Sequence, residues 1–193
     1  MSDVTPEAVL RFWLEEREPA DWYRASDALD AEIRDRFRTA WDRARGGGLR
    51  SWSTRPKGAL AFLVLVDQFP RNMFRGTARA FATDALALAA AKNAIRRGLD
   101  LRVDAPARQF FYLPLEHSET TPDQHRAVRL IATRLDAPET LLHARAHRAV
   151  IRRYGRFPHR NDALGRPNTA AERTMIEAGG YGAVVNEMRG LPK

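Results

Sequence analysis

Eight consecutive apolar residues, Ala59 to Val66, constrain the chain more than any other stretch, because a helix built from them has no face that can be left to water. The same run as a strand would find no partner elsewhere in the sequence, so a helix wrapped by other helices is expected. Charge gathers where that helix runs out: residues 67–75 read DQFPRNMFR. Pro70 is expected to stop the helix. That would leave Asp67 in the last turn, where desolvation and the negative end of the helix dipole both disfavour a carboxylate. A cation is then required, and Arg71 and Arg75 follow at once. A second passage, GRFPHRNDALGR at residues 155–166, repeats the Phe-Pro step, an Arg-Asn pair and a later glycine. The two corners, with a loop at His117, are expected to form one polar pocket.

Around this centre the other elements read as helices. Pro6 to Glu16 puts Val9, Leu10, Trp13 and Leu14 on one face. Ser26 is an N-cap candidate for a long helix with Leu29, Ile33, Phe37 and Trp41 inward, stopped by Gly46 to Gly48. Thr54 and Pro56 open the apolar helix, and Trp52 anchors the turn before it. Ala80 to Arg97 is rich in small alanines that allow close packing, with Phe81, Leu86, Leu88 and Ile95 as larger contacts and Gly98 as the stop. The short ARQFFYL segment ends at Pro114, Thr121 and Pro122 begin another helix, and Pro138 to Tyr154 forms the next with Gly155 as its end. Thr169 to Glu172 is a capping-box pattern, and Gly179-Gly180 is expected to release a poorly patterned tail. No fixed repeat period is present. The pattern predicts an all-α fold, an antiparallel bundle of about seven to nine helices in a single domain over 1–193.

Composition narrows the chemistry. With no cysteine in 193 residues, disulfides, thiolate nucleophiles and thiolate metal sites all drop out. No stretch is long and apolar enough to span a membrane, and the opening MSDVTPEAVL is acidic where a signal peptide would be basic, so a cytoplasmic protein without membrane contact is expected. The formal charge of +8 invites a nucleic-acid reading. Only Lys57, Lys92 and Lys193 are lysines, however, and the arginines are interleaved with acids, so nucleic acid is not the expected partner.

The succession DQFPRN, RGTARAFATD, FFYLPLEHSE and HRAVIRRYGRFPHRNDALGR resembles the bacterial family known as domain of unknown function 924, from about the first helix to the last. The resemblance implies an all-helical fold similar to tetratricopeptide-type helical stacks, and no established activity. It maps onto Asp67, Gln68, Arg71, Asn72, Arg75, Asp84, His117, Ser118, Glu119, Gln124, His147, Arg156, His159, Arg160, Asn161 and Arg166. The family pattern carries Ser-Thr before the last capping box; Asn168-Thr169 stands there in this chain and leaves the cap intact.

Four chemistries suit these residues. Arg71, Arg75, Arg156, Arg160 and Arg166, with Asn72, Asn161 and His147, can present forks and amides to a small anionic ligand, a phosphate or carboxylate. The same arginines with Asp67, Asp84 and Glu119 can instead close an ion-pair network that fixes the corners. His117 and His159, oriented by Glu119 or Asp67, are the candidates for proton transfer in a hydrolase or transferase. His143 and His147 have ligand spacing, but the arginines around them repel cations, so neither a metal nor another cofactor is expected. The remaining possibility is a non-enzymatic module that clamps a peptide carboxylate, as helical stacks do.

Overall fold

The computed structural model describes residues 4–190; residues 1–3 of the acidic opening, and Lys193, lie outside them. Among the described residues there is no strand and there are nine helices, one of them built from three consecutive segments. No helix is long and apolar enough to cross a membrane. The chain divides into two compact units, the first ending at Pro114 and the second beginning at Leu115.

In the first unit, α1 (Pro6–Leu14) is capped by the Thr5 hydroxyl, and α2 (Asp27–Arg45) by Ser26, whose hydroxyl accepts from the Leu29 amide. Leu29, Ile33, Phe37 and Trp41 of α2 are buried as their spacing requires; in α1 the buried residues are Val9, Phe12 and Trp13, while Leu10 and Leu14, expected inward, are only half-buried. Both helices close on the apolar helix. Its first segment, α3 (Pro56–Leu63), starts without a side-chain cap, because the cap position is Arg55, whose side chain has no acceptor, and the Thr54 hydroxyl before it donates to the Ser51 carbonyl. Every residue from Ala59 to Val66 is at most 2% exposed, as a helix apolar on all sides demands. Phe12, Trp13, Phe37 and Phe69 pack with ring centroids 4.7–5.8 Å apart, at tilted and edge-on angles that avoid a face-to-face sandwich.

Pro70 does not stop this helix. The chain widens into a π turn over Val64–Gln68, where the Phe69 amide reaches back to the Val64 carbonyl, and α4 (Phe69–Met73) continues through the proline. The wider turn makes room for the pyrrolidine ring. Pro70 has no amide to offer the Val66 carbonyl as its α-helical partner. Thr83 supplies a donor: its buried hydroxyl donates to the Val66 oxygen at 2.6 Å and accepts from the Trp41 indole N–H at 3.1 Å. The expected stop is thus corrected, and the reason is a side chain from beyond the corner that satisfies what the proline releases. Thr83 immediately precedes α5 (Asp84–Arg96), whose buried stripe is Ala87, Ala91, Ala94 and Ile95, so small residues give the close approach.

The chain leaves the first unit within the one-turn helix α6 (Leu113–Glu116), which runs through Pro114 instead of ending there. The second unit contains α7 (Thr121–Arg134), α8 (Pro138–Tyr154), α9 (Ala170–Glu177) and α10 (Gly180–Met188). Gly155 ends α8 at φ +72°, a conformation that only glycine adopts without strain. Val150, Ile151, Phe157 and Met175 form one buried cluster of this unit, with Tyr154, Tyr181 and Val184 packed on it. The tail after Gly179 is therefore a helix. Its weak pattern is compensated by packing of Tyr181, Val184 and Val185, because tertiary burial outweighs propensity in short helices.

Replacing Thr83 by Val removes a partner from two buried polar groups and is expected to destabilise the first unit by about 2–4 kcal/mol. All four tryptophans precede Pro114, so their fluorescence reads this unit alone, and an unchanged melting midpoint would refute the role given to Thr83. Leu63→Asp places an unpaired charge at a position 1% exposed and is expected to give no folded protein; a normal melting curve would contradict the buried-helix assignment.

Candidate functional site

Each Phe-Pro corner finds its counter-charges within its own unit. At the first corner, Arg71 forms a two-pronged pair with Asp84 (3.0 and 3.1 Å), donates to the Asp67 carbonyl oxygen at 2.7 Å and lies 3.6 Å from the Asp67 carboxylate. Burial works against the Arg71 charge, and the two carboxylates more than offset it. Gln68 donates its side-chain amide to Asp67. Arg75 does not serve Asp67. It forks onto Asp30 of α2 at 2.7 and 2.9 Å, and Asn72 donates to the same carboxylate at 2.8 Å. Asp30 was not singled out in the sequence, since on a charged helix face nothing distinguishes it from its neighbours.

At the second corner, Arg166 forks onto Glu119 at 2.7 and 3.0 Å, and the Phe157 amide donates to Glu119 at 2.8 Å. Burial would raise the Glu119 carboxyl, but the Arg166 fork, the Phe157 amide and the nearby Arg160 charge hold it below the usual carboxylate range. Arg166 also donates to the Asn161 side chain, and Asn161 donates to Asn168. Arg156 forks onto Glu172 at 2.6 and 2.8 Å, while Glu172 completes the capping box of α9 with Thr169. The Arg156 fork, with the Thr169 amide and hydroxyl, pulls the buried Glu172 carboxyl down to about 2.

Beside this network lies a group of imidazoles. Glu116, 1% exposed, meets His147 Nδ1 at 3.2 Å. The His147 ring stacks on Tyr181 (4.8 Å), touches Phe157 edge-on (5.4 Å) and stands edge-on to His117 (6.3 Å). Phe157 packs on its other neighbours too, His159 at 5.5 Å and the Arg160 guanidinium 4.5 Å above its ring. His117 is half-buried and His159 exposed. Gln124 fixes the loop by donating to the carbonyl oxygens of Glu116 (2.6 Å) and Ser118 (2.8 Å). Burial, with the Glu116 charge beside it, pushes the Tyr181 phenol above its ordinary range, and its hydroxyl meets His143 Nδ1 at 2.9 Å.

The carboxylate that holds an imidazole is thus Glu116 and not Glu119 or Asp67, which bind arginines. The PLEHSE corner contained the signal, because Glu116 follows a run of apolar residues that had to carry it inward. Tyr181 lies in the poorly patterned tail after Gly179-Gly180, where no periodicity points to it. Ser118 donates its hydroxyl to the Asp123 carboxylate in the first turn of α7. Among the described residues no three His, Asp or Glu side chains converge as a metal site.

The carboxyls of Glu172 and Glu119 both lie below their ordinary range in the folded protein, so each contributes stability that is present above the unfolded value and lost on acidification; for Glu172 it fades as pH falls from about 4.5 towards about 2. The melting temperature of wild type should accordingly exceed that of Glu172→Gln at about pH 6, with the gap narrowing as pH falls below 4.5 towards about 2 when followed by circular dichroism. A gap independent of pH would contradict the pairing.

Comparison with known proteins agrees with this architecture. A solved structure, that of the protein of unknown function ATU0120 from Agrobacterium tumefaciens, is 42% identical in sequence, with the match covering 90% of this chain and 97% of that one and a TM-score of 0.86. No curated protein matches. The family described as bacterial protein of unknown function (DUF924) matches residues 9–180, and the chain belongs to that family.

Proposed function

We propose that the second unit binds a small anionic ligand beside the Glu116–His147 pair and that His147 moves a proton on it, in the manner of a hydrolase or transferase. The observation that carries this reading is a carboxylate 1% exposed held 3.2 Å from an imidazole nitrogen. When Nδ1–H donates to Glu116, the tautomer is set and Nε2 is left with the lone pair, while the carboxylate stabilises the imidazolium that forms on protonation. Stacking on Tyr181 and contact with Phe157 hold the ring plane. His117 and His159 are the further proton carriers, and Arg160 supplies positive charge for a phosphate or carboxylate. Arg71, Arg75, Arg156 and Arg166 act in this reading as ties, since their forks already hold carboxylates.

A thermal-shift screen of phosphate monoesters and dicarboxylates is the direct test. A compound that raises the melting temperature of wild type, and fails to do so with folded His147→Gln and Glu116→Gln proteins, is expected. Any activity found with it should fall about 10²–10⁴-fold in His147→Gln, the usual contribution of a positioned acid–base group. A panel without hits, or a hit that both variants bind as wild type does, would sink the proposal.

A further inference from the structure

The first unit contains a cleft of about 650 Å³ where the start of α1, the 310 turn at Arg50–Thr54, the start of α3 and the turn at Asp100–Arg102 come together. That volume lies within the range of about 300–1,000 Å³ typical of small-molecule sites. Its lining carries three cations, Arg55, Lys57 and Arg102, against one carboxylate, Glu7. Several arginines elsewhere in this unit are neutralised in pairs: Arg17 by Glu32, Arg36 by Glu16 and Glu32, Arg71 by Asp84, Arg75 by Asp30 and Arg79 by Asp42. Among the described residues, Arg55, Lys57 and Arg102 have no such partner. A concave site with unneutralised like charges focuses potential and attracts an anion.

The lining also has a shape. Gly58 lies so close under the turn that a Cβ there would stand 2.3 Å from the Trp52 carbonyl oxygen, so a side chain at 58 cannot be accommodated without moving backbone. Arg97 ties the same turn down by donating to the Ser53 and Thr54 carbonyl oxygens at 3.0 and 2.9 Å. The wall carrying Trp52 is therefore fixed, and its half-buried indole lines the cleft beside the cations.

We propose that this cleft binds a small organic phosphate bearing a flat ring, with Arg55, Lys57 and Arg102 on the phosphate and Trp52 against the ring. Guanidinium forks and an ammonium suit a phosphate dianion, and an indole offers a π-face to a heterocycle without demanding its identity. The site shares no residue with the Glu116–His147 group and does not depend on the function proposed there.

Calorimetry on the full-length protein with AMP, ribose 5-phosphate and adenosine as probes tests this. AMP should bind with sub-millimolar affinity, ribose 5-phosphate at least tenfold more weakly, and adenosine without measurable heat. Lys57→Ala/Arg102→Ala, two exposed positions, should weaken AMP at least tenfold with an unchanged melting midpoint; Arg102→Glu gives the same readout should the double variant fold poorly. His147→Gln should bind AMP as wild type does. Absence of AMP binding, undiminished binding by the charge variants, loss in His147→Gln in their place, or ribose 5-phosphate binding as tightly as AMP would each overturn the proposal.

Discussion

A helix enclosed on every side has no water to satisfy a stray carbonyl, and that constraint governs the first unit. Pro70 removes an amide from the middle of such a helix and threatens the Val66 oxygen with isolation. The π turn relieves the steric conflict, and the Thr83 hydroxyl, itself held by the Trp41 indole, gives the Val66 oxygen a donor. One interaction thereby links three helices: α2 through Trp41, the apolar helix through Val66, and α5 through the residue that precedes it. The ion pairs of the corner are arranged around this core, since Arg71 reaches Asp84, the neighbour of Thr83.

The second unit solves a comparable problem with charge. Phe157 is fully buried and its amide needs an acceptor outside any helix; Glu119 provides it and is in turn neutralised by Arg166. The same ring is the surface against which His147, His159 and Arg160 pack. Structural ties and candidate chemistry therefore meet at one aromatic side chain. A carboxylate committed to an arginine and one that faces an imidazole have different work to do, and the distinction between Glu119 and Glu116 separates the tie from the proposed acid–base pair.

Similar motifs carried different consequences in the two corners. DQFPRN continues a helix, because a widened turn and a distant hydroxyl accommodate its proline, whereas RFPHRN follows a glycine-terminated helix and enters a 310 turn at Pro158–Arg160. Local spacing described both as stops. It had no means of seeing Thr83 thirteen residues beyond Pro70, and the same blindness hid Asp30 as the partner of Arg75 across 45 residues.

What the sequence determined by itself is what depends on periodicity, caps and composition. The all-helical class followed from the apolar faces, the enclosure of Ala59 to Val66 from eight apolar residues in a row, and the ends of α2, α8 and α9 from Ser26, Gly155 and the Thr169–Glu172 box, because these effects act within one or two turns. Only the tertiary structure decided which carboxylate each arginine meets, that Glu116 and not Glu119 faces His147, and that the weakly patterned tail becomes a helix with Tyr181 on that imidazole. Those outcomes rest on contacts between residues tens of positions apart, and charged side chains of equal local standing can be told apart only by what the fold brings beside them.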